Sequence, residues 1–85
     1  MNESCRVLIV DDHPLFRRGL LQLLRTIPAF VLVGEAASGA EGLALARELR
    51  PDLILLDLNM RDGDGLDMLR GLRTMHLRLD AETRS

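Results

Sequence analysis

Val7-Leu8-Ile9-Val10-Asp11-Asp12 near the amino terminus and Leu53-Ile54-Leu55-Leu56-Asp57 in mid-chain share one pattern, four apolar residues closed by an acid. A short, unbroken apolar run is the mark of a strand buried on both faces. Between the two runs, Pro14 suits the first turn of a helix. Phe16, Leu20, Leu23, Leu24 and Ile27 recur at helical spacing, so an amphipathic helix is expected up to Pro28, with Arg17, Arg18, Gln22 and Arg25 on its wet face. Phe30 to Val33 reads as a second strand, closed by Gly34. Ser38-Gly39-Ala40-Glu41 is a capping box, which starts a second helix running to about Leu49. Beyond Asp57, the glycines of Arg61-Asp62-Gly63-Asp64-Gly65 predict a loop. Leu66, Leu69, Leu72 and Met75 then mark a third helix, in which Gly71 costs up to about 1 kcal/mol against alanine.

Strands alternating with helices imply a parallel sheet with right-handed crossovers, so all three strands end at the same edge. Asp11, Asp12 and Asp57 belong to that edge, and a strand order of 2-1-3 would set strands 1 and 3 side by side and bring the three carboxylates together. Two unit charges about 4 Å apart repel by roughly 4 kcal/mol at an effective dielectric near 20. Clustered carboxylates therefore call for protonation or a cation, and Mg²⁺, a hard ion that keeps several waters and favours carboxylate and phosphate oxygens, fits an open acidic cup. Its implied guest is a phosphoryl group, toward which a carboxylate at a strand tip can act as nucleophile.

Blander readings compete at single residues. Asp12 could simply cap the first helix. His13 is expected to be a helix-start residue rather than a ligand. Asp62, Asp64 and Asp67 suggest calcium, but the EF-hand template fails at Arg61 and Asp62. A nucleotide site would need a phosphate-cradling loop after strand 1, where this chain has two acids.

Composition narrows the field further. A chain of 85 residues buries only about 60 to 65% of its unfolded surface, which leaves room for one thin-cored domain. All 11 basic residues are arginines, so lysine Schiff bases and P-loop lysines are excluded. Those arginines are interspersed among 13 acids at net charge −2, and the aromatics are only Phe16 and Phe30, so direct nucleic-acid binding is not expected. The single Cys5 forms no internal disulfide, no apolar stretch reaches the roughly 20 residues that span a bilayer, and a reducing cytoplasm fits best.

The stretches Val7 to Arg17, with its Asp-Asp-His-Pro, and Pro51 to Met60 resemble the receiver domains of bacterial two-component response regulators, over residues 6 to about 76. Asp-Asp-His-Pro, Val33-Gly34-Glu35-Ala36 and the Leu-Asn-Met after Asp57 are most similar to the nitrate/nitrite type that carries a LuxR-type output. The resemblance implies a truncated flavodoxin-like α/β receiver fold: a three-stranded parallel sheet of order 2-1-3 with three helices over 1–76, followed by an irregular tail over 77–85. It implies Asp57 as phosphoacceptor, Asp11 and Asp12 as the Mg²⁺-binding pair, and the backbone carbonyl of Asn59 as a further metal ligand beside Asp57. A sensor histidine kinase would be the phosphoryl donor, and the domain would signal rather than act as an enzyme. The alternative is a non-switching decoy that binds a kinase or receiver partner without phosphotransfer.

Two departures stand out. Receivers usually have proline where this chain has Arg61. The fourth and fifth strands, which deliver a hydroxyl and a lysine to the phosphoryl group, are not expected here, so an exposed strand 3 edge and bare helix faces predict a homodimer.

Overall fold

The structure, a computed structural model, describes residues 4–73. Its elements are β1 (Cys5–Val10), α1 (Pro14–Arg25), β2 (Phe30–Ala36), α2 (Gly39–Leu49), β3 (Leu53–Leu56) and a 3₁₀ turn (Arg61–Gly63) that leads into α3, helical over residues 64–73. The expected tail over 77–85 lies outside the described residues. All three strands run parallel, as the apolar runs and their crossovers imply, and their order β2-β1-β3 is the one the receiver resemblance implies.

β1 is the axis of the molecule. Val7, Leu8, Ile9 and Val10 are completely buried, and because strand side chains alternate between faces they feed two separate cores. Leu8 and Val10 join Ala36, Ala46, Met60 and Met68 on the face covered by α2 and α3. Val7 and Ile9 join Leu24 on the opposite face, with Leu20, Phe30, Leu32, Leu53 and Leu55 packed around them. This two-sided burial is why the run carries no polar residue.

The second face is only partly roofed, and here the structure corrects the expected stripe of α1. Leu24 is buried, but Phe16 is 62% exposed and Leu23 and Ile27 also stay in solvent. One helix is too narrow to cover a three-stranded face, and α1 makes its main sheet contact with β2. The helix also ends at Arg25, so Ile27 falls beyond it.

Strand 2 is longer than its apolar run. It passes through Gly34 to Ala36, with Val7 opposite Leu32 but Leu8 opposite Gly34, so a bulge at Val33 absorbs one residue. A Cβ on Gly34 would lie 3.0 Å from Leu49 Cδ1 and 3.2 Å from Leu8 Cδ1, so glycine here reflects close packing of α2 rather than a chain stop. Gly71 has a similar explanation: a Cβ there would lie 2.7 Å from Leu43 Cδ2, so its helix-propensity cost accompanies a close approach of α3 to α2.

The capping box forms with a one-residue offset. Ser38 Oγ accepts from the Glu41 amide at 3.2 Å, while Glu41 Oε1 accepts from the Ala37 amide at 2.8 Å rather than from Ser38 itself.

In α3 the burial also departs from the leucine pattern: Met68 is 2% exposed in the core, whereas its neighbour Leu69 is 45% exposed. Met68→Ala should therefore cost about 2–5 kcal/mol in urea unfolding, and Leu69→Ala less than about 1 kcal/mol. Equal losses would contradict this packing.

Candidate functional site

The sheet does not stop where its apolar residues do. The Asp57 amide donates to the Val10 carbonyl at 3.0 Å, and the Asp11 amide donates to the Ala36 carbonyl at 3.0 Å. Both acids thus stay tied to the ladder, and Asp11, Asp12 and Asp57 meet at one edge as the order 2-1-3 requires. One donor atom from each of these three, together with one from His13, can be chosen so that all lie within 4.8 Å of one another.

Each acid is held differently. Asp11 is only 2% exposed, and its Oδ1 accepts from the His13 amide at 2.8 Å and faces His13 Nδ1 at 3.2 Å. Asp57 Oδ1 accepts from the Asn59 amide at 2.8 Å, while Oδ2 lies 3.5 Å from His13 Nδ1. Asp12 Oδ2 receives a long contact, 3.4 Å, from the Arg61 amide. Its other oxygen, Oδ1, is buried without a hydrogen bond; His13 Nδ1 stands 2.9 Å away, at ion-pair distance but without the alignment of a hydrogen bond. A buried acceptor left without a donor costs on the order of 1–3 kcal/mol, so this oxygen is suited to a cation.

The capping alternative for Asp12 fails. His13 is the N-cap residue of α1, no side chain caps the helix, and Pro14 fills the first turn. His13 is therefore a helix-start residue, as expected, and a member of the acidic cluster as well. Asn59 enters through its amide, which fixes Asp57.

Two participants escaped the sequence reading. Arg17, expected on the wet face, is only 22% exposed at its side chain: Nη1 donates to the Asp11 carbonyl at 2.6 Å and Nε to Glu35 Oε1 at 3.2 Å. Its one available signal was position, one turn into a helix whose start is tied to Asp11. Asp64, considered for calcium, instead accepts from the Gly39 amide through Oδ2 at 2.6 Å and so caps α2 from across the fold. Gly65 completes the loop after Asp57, because a Cβ there would run into the Asp57 carbonyl oxygen.

Residues 7–81 match the response regulator receiver domain family. The chain belongs to that family. Among similar proteins, the nitrate/nitrite response regulator protein homolog of Haemophilus influenzae is 48% identical over 73 residues, which cover 86% of this chain and 35% of that protein. The nitrate/nitrite response regulator NarP of Escherichia coli is 54% identical over 68 residues, 80% of this chain and 32% of that one. This receiver domain thus spans about a third of the length of the curated relatives it matches. Among solved structures, the signal receiver domain of the putative NarL of Mycobacterium tuberculosis superposes with a TM-score of 0.80 at 39% identity, covering 87% of this chain and 60% of that one. The response regulator domain of Thermotoga maritima CheB gives 0.78 at 34% identity, covering 84% and 53%. In both, the neighbour is a receiver or response regulator domain.

Proposed function

We propose that this receiver domain is a phosphoacceptor of a two-component system, taking a phosphoryl group onto Asp57 from the phosphohistidine of a sensor kinase. The observation that carries the reading is the convergence of Asp11, Asp12 and Asp57 on one sheet edge. Asp57 Oδ1 is already occupied by the Asn59 amide, which leaves Oδ2 as the oxygen able to attack phosphorus. As the new O–P bond forms, the P–N bond to the donor imidazole breaks and its electron pair stays on that nitrogen. Such a step needs little beyond positioning and charge neutralisation.

The donor set suits Mg²⁺: three carboxylates, one carrying a buried oxygen with no hydrogen bond. Asp11, Asp12 and Asp57 would hold the ion, with the Asn59 carbonyl as the further ligand that the family resemblance implies. When bound it would supply positive charge against the phosphoryl oxygens. Arg17 steadies the tip of β1 through the Asp11 carbonyl, and Gly65 lets the chain turn tightly behind Asp57. No helix among the described residues is long and apolar enough to cross a membrane, and a cytoplasmic signalling role agrees with the lone Cys5.

Incubation with a small acyl phosphate and Mg²⁺, read by intact mass, should add one phosphoryl group to the wild type, none to Asp57→Asn and none in the presence of a chelator. Binding to a phosphohistidine domain with no mass gain would favour the decoy reading instead.

For assembly we propose a second copy of the chain. The outer edge of β3 pairs with no strand among the described residues, and Leu15, Phe16, Leu20 and Leu55 line the apolar end of a groove that runs on to Asp11 and Asp57. An unpaired strand edge can be satisfied by the same edge of another copy. Light scattering over a dilution series should show a dimer that weakens in Phe16→Asp; a monomer at every concentration would refute it.

A further inference from the structure

We infer that His13 is a metal ligand and that it shifts this cup from a pure oxygen site toward one that prefers first-row transition ions over Mg²⁺. The inference rests on the metal-binding reading above and adds one residue to it. His13 Nδ1 stands 2.9 Å from Asp12 Oδ1, 3.2 Å from Asp11 Oδ1 and 3.5 Å from Asp57 Oδ2. Ligands about 2.1 Å from an octahedral ion lie about 3 Å apart when adjacent and about 4 Å apart when opposite. The imidazole nitrogen is thus placed against all three carboxylates at the spacing of adjacent ligands around one ion. With all four donors within 4.8 Å of one another, a contraction on the order of half an ångström closes the set.

A hydrogen bond accounts for only part of this placement. Nδ1 carries at most one proton, and alignment assigns it to Asp11 Oδ1, while the closest oxygen of the three, Asp12 Oδ1, is buried and unbonded. An ion between Nδ1 and the carboxylates would satisfy that oxygen directly. His13 would then offer its Nδ1 lone pair with the proton on Nε2, a change of tautomer that needs no other group. The backbone supports it: the His13 amide is fixed on Asp11 Oδ1, and Pro14 and the start of α1 hold the residue over the cup. The ring itself is 64% exposed, so it can adjust as an ion enters. Imidazole suits the later first-row ions, Co²⁺, Ni²⁺ and Zn²⁺, far better than it suits Mg²⁺, with Mn²⁺ between them, so nitrogen ligation makes His13 a selectivity-determining residue.

The experiment uses the full chain, Mn²⁺ as the probe and pulsed electron paramagnetic resonance as the readout. Wild-type protein should bind one Mn²⁺ with nitrogen modulation from a coordinated imidazole. That modulation should vanish in His13→Gln and persist in His76→Gln. Outer ligand partners alone change metal affinity about 10- to 100-fold, so His13→Gln should lower Co²⁺ affinity about 10-fold or more while leaving Mg²⁺ affinity within a factor of about 3. Mn²⁺ bound without nitrogen modulation, or the same modulation in His13→Gln, would overturn the inference while leaving the carboxylate site standing. Tighter Mg²⁺ binding in His13→Gln would also overturn it, since the ring would then be a stand-in for the ion rather than a ligand. Absence of any Mn²⁺ or Mg²⁺ binding would refute the underlying metal reading and this inference with it.

Discussion

Parallel pairing of β1 with β3, Val7 opposite Leu53 through Val10 opposite Leu56, is the constraint on which the rest of the molecule depends. The pairing is driven by apolar burial on both sheet faces, at roughly 25 cal/mol per Å² removed from water. Its consequence is electrostatic. By carrying the ladder one residue further, through the Asp57 amide on the Val10 carbonyl, the sheet forces two strand tips that both end in acid into one place. Hydrophobic register thus concentrates negative charge that the side chains alone would never gather, and the cup is held at a cost of a few kcal/mol that a cation can offset.

The acids are not left entirely to repel. Asp11 receives the His13 amide, Asp57 the Asn59 amide, and Asp12 a weaker approach from the Arg61 amide. A proline at that position, which the receiver resemblance leads one to expect, would have no N–H to offer. Arg61 therefore changes the loop beside Asp57 through its backbone as well as its charge. Arg17 adds a tether on the carbonyl side of Asp11 and joins it to Glu35 near the end of β2, so the ends of β1 and β2 are linked.

The strands and the acids at their tips were legible in the sequence because each rests on a local pattern: an unbroken apolar run, an acid at its end, a crossover too long for a hairpin. The order 2-1-3 comes from the family resemblance, since no local pattern fixes which strand lies in the middle. What was not legible depends on distance. Nothing local says that Gly34 lies beneath Leu49 rather than ending β2, or that Asp64 would cap α2 from 25 positions away. Helical periodicity identified α1 but not which part of its stripe is covered, because Phe16 and Leu24 look alike until the partner surface is known. Residue type alone places His13 at a helix start and Arg17 on a wet face, whereas the approach of both side chains to Asp11 exists only in the fold.

The central claim is that packing builds a cup whose charge is unfavourable until a cation enters. Thermal unfolding of wild type and Asp12→Asn, each in chelator and in saturating Mg²⁺, tests it most directly. Removing one charge should make the variant more stable than wild type in chelator, by about 1 kcal/mol or a few degrees in Tm, and less stable than wild type in Mg²⁺, where wild type gains the free energy of binding. A variant less stable than wild type under both conditions would mean that Asp12 is held by ordinary hydrogen bonding and that the cup stores no repulsion for a cation to relieve.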